Sequence, residues 1–367
     1  MKKFNLVTLP GDGIGSEVVE GALKVLITAC KQHDIELNIQ EFPFGGISFD
    51  NHGTPATDET IEACKASDAV LLGAVGGEKW DHLTGADRPE SGLLKLRSEL
   101  EVFANFRPVR VYPELAHAST LKEEVISGVD ILIVRELTGG IYFGKPRETN
   151  RSVEDPYSYD TMRYHQSEVE RVAQKAFEAA ASRNQTVCSV DKANVLESSR
   201  FWRDTVIEFA KNYPEITLQH MLVDNCAMQL IRNPKQFDVV LTSNLFGDIL
   251  SDEAAMLTGS IGMLPSASLG NGPGLFEPVH GSAPDISGQN KANPLATIAS
   301  TALLCRYSLN LEQVAVEIEQ AIQDTLSAGY RTGDIYTGSE SETLTGTDEM
   351  CNQVLKALSE FNKAETA

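Results

Sequence analysis

Short apolar runs separated by longer amphipathic stretches recur along this chain, and that alternation restricts its fold more than any single motif does. "FNLVTL", "DAVLLGAV", "DILIVREL", "TVCSV", "ITLQHMLV" and "FDVVLTS" have the length and branched-aliphatic content of strands. Strands alternating with helices predict an α/β fold built on a largely parallel sheet. Ser167 with Glu170 reads as a capping box that opens "VERVAQKAFEAAASR", whose Val169, Val172, Ala173, Ala176 and Phe177 make one apolar stripe. Val314, Ile318, Ala321, Ile322 and Leu326 make another, with Gly329 as its C-terminal residue. Both stripes are core patterns and carry no chemistry.

A chain of 367 residues is long enough for two domains, or for one large α/β unit with a subsidiary lobe. Its formal net charge of −21, with no basic segment, argues against a nucleic-acid backbone or an anionic membrane as partner. Cys30, Cys64, Cys188, Cys226, Cys305 and Cys351 are widely spaced, which predicts reduced thiols rather than a disulfide framework. The opening apolar run ends at Pro10, too soon for a signal sequence or membrane span, so the expected location is the cytoplasm. No internal repeat is visible. The Gly- and Pro-rich stretch from Gly259 to Pro294 reads as the longest irregular segment, and loops of that length usually serve binding.

"LPGDGIGSEVVEGALKVL" invites a dinucleotide-binding interpretation, but Ser16 stands where G-x-G-x-x-G needs its third glycine. A Rossmann domain is not expected. Gly11, Gly13 and Gly15 fit a strand-to-helix turn that needs positive φ, a kind of turn that can also approach an anion closely.

Several charged residues stand where the pattern predicts core. In "SNLFGDILSDEAAML", Asp248 and Asp252 share a helix face and repel by roughly 0.2–0.5 kcal/mol unless solvent or a cation separates them. Asp248 otherwise suits a first turn capped by Asn244. Glu90, Leu93, Leu94 and Arg97 fall on one stripe of a helix, either as a lined surface or as an amphipathic helix with rim charges. Arg135 ends a buried-strand pattern and so needs a partner, in a site or in a salt bridge; Arg107 before Pro108 has the same character. Tyr142, after Gly139–Gly140, either points into a cleft or lies half-buried in a strand. Lys192 and Asp224 follow strands, where open α/β sheets bind ligands.

Taken together and in order, "LPGDGIG", "ESGLLKLR", "NFRPVR", "VRELTGGIYFG", "DKANVL", "SNLFGDILSDEAAML", "LPSASLG" and "LFEPVHGSAPDISGQNKANP" resemble the β-decarboxylating dehydrogenases essentially from end to end, and within them the 3-isopropylmalate dehydrogenases. The resemblance implies a two-domain α/β fold that is not Rossmann, with the active site in the interdomain cleft. Residues 1–102 and 259–367 would form the first domain, carrying both termini and the NAD-binding loops. Residues 103–258 would form the second, carrying the dimer interface, the metal ligands and the catalytic residues.

The implied reaction is NAD-dependent oxidative decarboxylation of 3-isopropylmalate to 4-methyl-2-oxopentanoate and CO2, in leucine biosynthesis. The family's active site is shared in a homodimer, with Lys192 and Asp224 supplied by the partner chain. Asp224, Asp248 and Asp252 would hold Mg2+ or Mn2+, an all-oxygen set suited to a hard cation. Lys192 would be the base and Tyr142 the proton donor, while Arg97, Arg107 and Arg135 bind carboxylates. Leu93, Leu94 and the partner's Val195 would cover the isopropyl group, worth roughly 2 kcal/mol for three carbons. Glu90 would repel the extra carboxylate of isocitrate. For NAD, Asp285 would accept bonds from the ribose hydroxyls and reject a 2′-phosphate, since NADP-using relatives carry lysine and tyrosine where this chain has Asp285 and Ile286. His280, Gly281, Ser282, Ala283 and Asn293 would line the adenosine pocket, with Pro284 also in the cofactor-binding set. Ile14, Gly77, Glu277 and Asp334 complete the expected cofactor set. D-malate, tartrate, homoisocitrate or isocitrate remain alternative substrates, and a divalent-metal sugar-acid or phosphate-binding protein without redox activity is the alternative of another class.

Overall fold

The computed structural model describes residues 2–365 and divides into two compact units. One comprises Met1–Val102, Tyr112–Thr120 and Thr258–Ala367, the other Phe103–Val111 and Leu121–Leu257. Among the described residues, no helix is long and apolar enough to cross a membrane.

In the first unit the strands Ile35–Glu41, Lys2–Gly11, Ala69–Ala74, Gly274–Pro278 and Pro265–Gly270 lie side by side in that order. All neighbours are parallel except the last pair, which is antiparallel. The helix Leu295–Tyr307 is buried without interruption from Leu295 to Cys305, so it has no polar face and forms the centre of the unit. The helices Gly15–Gln32 and Glu312–Ser327 pack on it. The expected stripe of Val314, Ile318, Ala321, Ile322 and Leu326 is buried, and Gly329 follows the helix end at φ +90°.

The second unit orders Val102–Arg110, Asp130–Glu136, Val239–Thr242, Thr186–Asp191 and Thr217–Leu222. Val102–Arg110 runs antiparallel to Asp130–Glu136, and the remaining pairs are parallel. A separate antiparallel hairpin joins Glu148–Asn150 to Tyr157–Tyr159. The helix Gln166–Ala181 buries Val169, Val172, Ala173, Ala176 and Phe177 as the periodicity requires.

Four details differ from the sequence reading. The capping box on Gln166–Ala181 is made by His165 and Glu168, whose carboxylate accepts the His165 N–H at 2.7 Å. Ser167 already lies inside the helix, because the extended backbone of His165 starts it two residues earlier. The stretch 259–294 is less irregular than its composition suggests, since it contains the strands Pro265–Gly270 and Gly274–Pro278. Residues 112–120, which the sequence reading assigns to the second domain, belong to the first unit. There Glu114 accepts hydrogen bonds from Gln323 and Ser327 at 2.5 and 2.6 Å, and its carbonyl accepts from Arg331 at 3.1 Å. Finally, the helix Asn244–Ala255 is preceded by Ser243 as its N-cap, so Asn244 is not the cap.

Candidate active site

In the second unit, the helix Asn244–Ala255 presents Asp248 and Asp252 one turn apart, and each carboxylate meets an arginine rather than its neighbour. Arg135, at the end of the strand Asp130–Glu136, donates Nη1 to Asp248 Oδ1 at 2.5 Å. Arg107, on Val102–Arg110, donates Nη1 to Asp252 Oδ1 at 3.0 Å and to Ser251 Oγ at 2.8 Å, and its Nε to Asn105 at 3.0 Å. The like-charge repulsion across the turn is therefore offset by two guanidinium groups. Gly247 allows this approach, because a Cβ there would lie 2.6 Å from Arg135 Cγ.

Tyr142 closes the 3-10 turn Gly140–Tyr142 and donates its hydroxyl to Asp248 Oδ2 at 2.8 Å. Arg135 lies over its ring, 5.9 Å from the centroid. Burial, then the hydrogen bond and charge of Asp248, push the phenol's pKa up, so it stays protonated and able to give a proton. Asp248 thus joins a buried cation to a phenol, and the two alternatives left open for Arg135 merge: it makes a salt bridge inside a polar cluster.

Lys192, directly after the strand Thr186–Asp191, donates to Asp224 Oδ1 at 2.5 Å. That bond holds the Asp224 carboxyl below its ordinary range. Asp224 is the second residue of the helix Val223–Arg232, and Val195, just after Lys192 in the chain, is exposed. Among the described residues of one chain, no group of three or more His, Cys, Asp or Glu side chains is arranged to hold a metal ion. Asp248 and Asp252 alone supply two oxygen donors of the kind a hard divalent cation takes, so the donor chemistry fits such an ion while the set needs a further ligand.

The first unit assembles a second group. On the helix Pro89–Glu99 the buried side is Pro89, Gly92 and Leu96, which leaves Leu93 half-buried and Glu90 and Leu94 exposed. Arg97 donates Nη2 to Glu277 Oε1 at 2.7 Å, and its buried Nε has no hydrogen-bond partner among the described residues. The turn after the first strand is a junction of loops. Ile14 N–H donates to Ser282 O at 2.8 Å, Ser282 Oγ donates to Gly76 O at 2.7 Å, and a Cβ on Gly13 would sit 2.0 Å from Ser282 O. Asp12, 3% exposed, accepts from the backbone N–H of Gly46, Ile47 and Gly76 at 2.7–2.8 Å. Desolvation raises its pKa against those bonds. The glycine motif therefore lets three loops meet around a carboxylate.

Ile14 itself packs with Val18, Ala292, Ala283 and Ile286. Gly77 lies in the same junction at φ +153°, Ala283 takes φ +37°, and Gly281, Pro284 and Asp285 are exposed. His280 contacts Gly281 O through Nδ1 at 2.9 Å, its buried Nε2 has no partner among the described residues, and burial lowers its pKa. Asn293 donates to Asp334 at 3.0 Å, and Ser260 and Thr332 donate to the same carboxylate at 2.5 and 2.6 Å. The expected cofactor residues thus fall into linked groups: Ile14 with Ser282, Asn293 with Asp334, and Glu277 with Arg97.

Sequence reasoning missed Asn105, Ser251 and Asp12, and it gave Asn244 the wrong task. Asn244, 1% exposed, accepts from Arg135 Nε and Nη2 at 3.2 and 2.8 Å and donates to the carbonyls of Leu137 and Gly139 at 3.0 and 3.2 Å. An asparagine next to a helix start has the same local pattern whether it caps the helix or reaches into a site.

Comparison with known proteins agrees with this chemistry. The profile of the Isocitrate/isopropylmalate dehydrogenase family matches residues 5–354. A 3-isopropylmalate dehydrogenase of Wolinella succinogenes is 58% identical over 350 residues, covering 95% of this chain and 96% of that protein. One from Hydrogenovibrio crunogenus is 56% identical over 356 residues, with 96% and 99% covered. The crystal structure of isocitrate dehydrogenase from Methylococcus capsulatus superposes with a TM-score of 0.83 at 30% identity, covering 98% of this chain and 99% of that one. With a profile match over nearly its whole length and full-length relatives above half identity, the chain belongs to the isocitrate/isopropylmalate dehydrogenase family.

Proposed function

We propose that this protein is an NAD-dependent enzyme that oxidises 3-isopropylmalate and decarboxylates it to 4-methyl-2-oxopentanoate in leucine biosynthesis, in the cytoplasm. The observation that carries the chemistry is the convergence of Arg135 and Tyr142 on the two oxygens of Asp248. A carboxylate-binding cation and a protonated phenol held together are what a decarboxylation ending in proton delivery to carbon requires.

The enzyme acts as a homodimer, and the partner subunit's Asp224 joins Asp248 and Asp252 in holding Mg2+ or Mn2+. Met228 and Ile249 favour such a partner, since they stand 61% and 57% exposed on the adjacent helices Val223–Arg232 and Asn244–Ala255. When bound, the cation supplies Lewis-acid stabilisation of negative charge on substrate oxygen, and NAD+ supplies the hydride acceptor. The partner subunit's Lys192 takes the proton of the substrate hydroxyl. Arg97, Arg107 and Arg135 hold the two carboxylates, for which their planar forks are suited. Tyr142 then protonates the enol carbon. The first unit carries the cofactor loops, and the second the metal, catalytic and dimer residues.

Substrate choice rests on Leu93 and Leu94 with the partner subunit's Val195, an apolar surface that fits an isopropyl branch and penalises a carboxylate. Glu90 adds repulsion. Asp285, exposed and anionic, favours ribose hydroxyls over a 2′-phosphate. The test is to incubate the protein with Mg2+, NAD+ and, in turn, 3-isopropylmalate, D-malate and isocitrate, measuring NADH and CO2. Isopropylmalate turned over no faster than the others overturns the substrate assignment, and silence with all three overturns the reaction class.

A further inference from the structure

We propose that Asn244 is a positioning residue that locks the substrate-binding Arg135 and the proton donor Tyr142 into one register. It rests on the functional reading above and assigns a role that neither residue can fill for itself. Asn244 opens the helix Asn244–Ala255, but its side chain turns inward instead of capping. Its amide oxygen accepts from two nitrogens of Arg135, at 3.2 and 2.8 Å, and its amide nitrogen donates to Leu137 O and Gly139 O, at 3.0 and 3.2 Å. Two acceptor and two donor positions are what an asparagine amide offers, so the group is fully used in a water-excluded place.

The four bonds run to two different elements. One end fixes the rotamer of Arg135, leaving its remaining Nη1 aimed at Asp248. The other end fixes the backbone that leads through Gly139 and Gly140 to Tyr142. That turn includes Gly140, buried at φ +75°. Glu136, fully buried, adds bonds to the N–H of Thr138 and Gly139 at 2.8 Å each, so donors and acceptors of the turn are held from both sides. Asn244 is itself anchored by its backbone N–H, which donates to Tyr164 Oη at 2.9 Å. An Arg135 free to swing would change where the substrate carboxylate sits, and a loosened turn would move the phenol. A displacement of about 1 Å in such a group is enough to cost about a hundredfold in rate.

The two ends can be separated by substitution. Asn244→Asp keeps acceptors for Arg135 but faces the Leu137 and Gly139 carbonyls with oxygen, whereas Asn244→Ala removes both ends. For N244D the expected result is KM for isopropylmalate within about threefold of wild type and kcat lowered at least about tenfold. N244A should raise that KM as well, and KM for NAD+ should stay within about twofold in both. In a Tyr142→Phe background the N244D substitution should cost less than about twofold in kcat, because both changes act on one proton transfer. Tyr164→Phe, which removes the hydroxyl that anchors the Asn244 N–H and also meets Glu136, is the milder variant and should lower kcat in the same direction by a smaller factor. The proposal is overturned if N244D turns over at the wild-type rate, if its loss is undiminished beside Y142F, or if both KM values move together in step with lost thermal stability. Wild-type protein inactive on isopropylmalate and NAD+ would instead overturn the functional reading beneath it.

Discussion

Tyr142 donates its phenolic hydrogen to Asp248 Oδ2 at 2.8 Å, while the other oxygen of that carboxylate is held by Arg135. The phenol is thereby fixed in direction and, by burial and the facing carboxylate, kept protonated. Tyr142→Phe retains the ring and the contact with Arg135 and removes the hydroxyl, and with it the transferable proton and the bond to Asp248. It should lower kcat by about a hundredfold with little change in KM for isopropylmalate, a split read directly from steady-state kinetics. An equal rise in KM would assign the phenol to binding.

Asp252 tests the metal. Its side chain is 66% exposed and meets Arg107 at 3.0 Å. Asp252→Asn keeps a hydrogen-bond acceptor for Arg107 and removes a charge, so stability should change by less than about 0.5 kcal/mol. Metal-dependent turnover should be abolished, and manganese titrated into the variant should show weakened binding while circular dichroism is unchanged. Full activity in D252N would remove the ion from the mechanism.

Most of the architecture follows from periodicity, because the residues that bury themselves are the ones that repeat. Val169 through Phe177 and Val314 through Leu326 obey a helical period and are buried in the structure. Where two-dimensional pattern is weak, the sequence is mute. Ile35–Glu41 is a polar edge strand with one buried residue, and Pro265–Gly270 with Gly274–Pro278 hides in a glycine-rich stretch. The charged members of the site were visible because an arginine at the end of an aliphatic strand is anomalous wherever it stands. Asn244 and Asp12 were not, since a polar residue at a helix start or a glycine turn is locally ordinary. Only the long-range partners, Arg135 for one and the Gly46 and Gly76 amides for the other, reveal what these residues do. The pairing of Asp248 with Arg135 likewise joins residues more than a hundred positions apart.

Leu94 separates attraction from exclusion in substrate choice. It is 50% exposed, so a bound isopropyl group can cover only the exposed half of it. Leu94→Ala should therefore weaken isopropylmalate by about 1 kcal/mol, or roughly fivefold in kcat/KM. Activity on isocitrate should not appear in the same variant, because an alanine still offers no partner for the extra carboxylate and Glu90 still opposes it. Competitive assays with both acids read the two effects together, and isocitrate turnover gained from this truncation alone would show that bulk, not polarity, is the barrier.

Acid stability should be governed in part by a carboxylate away from the proposed chemistry. Burial pushes the Glu342 carboxyl up, but the backbone and hydroxyl of Thr337, each at 2.8 Å, the imidazole of His117 and the charge of Arg331 together bring it down to about 2. Glu342 binds its proton less readily in the folded chain than at its ordinary value of 4.5, so its contribution is complete above that pH and is lost as pH falls toward about 2. The contribution should amount to roughly 1–3 kcal/mol, the range in which a buried, multiply bonded carboxylate acts. Glu342→Gln leaves the shape and deletes the titration. Urea midpoints measured between pH 6 and pH 3 should thus fall more steeply for wild type than for E342Q, with the variant the less stable of the two at pH 6. Parallel curves would mean that the Arg331–Glu342 contact, which closes the loop carrying Asp334, contributes through packing and not through charge.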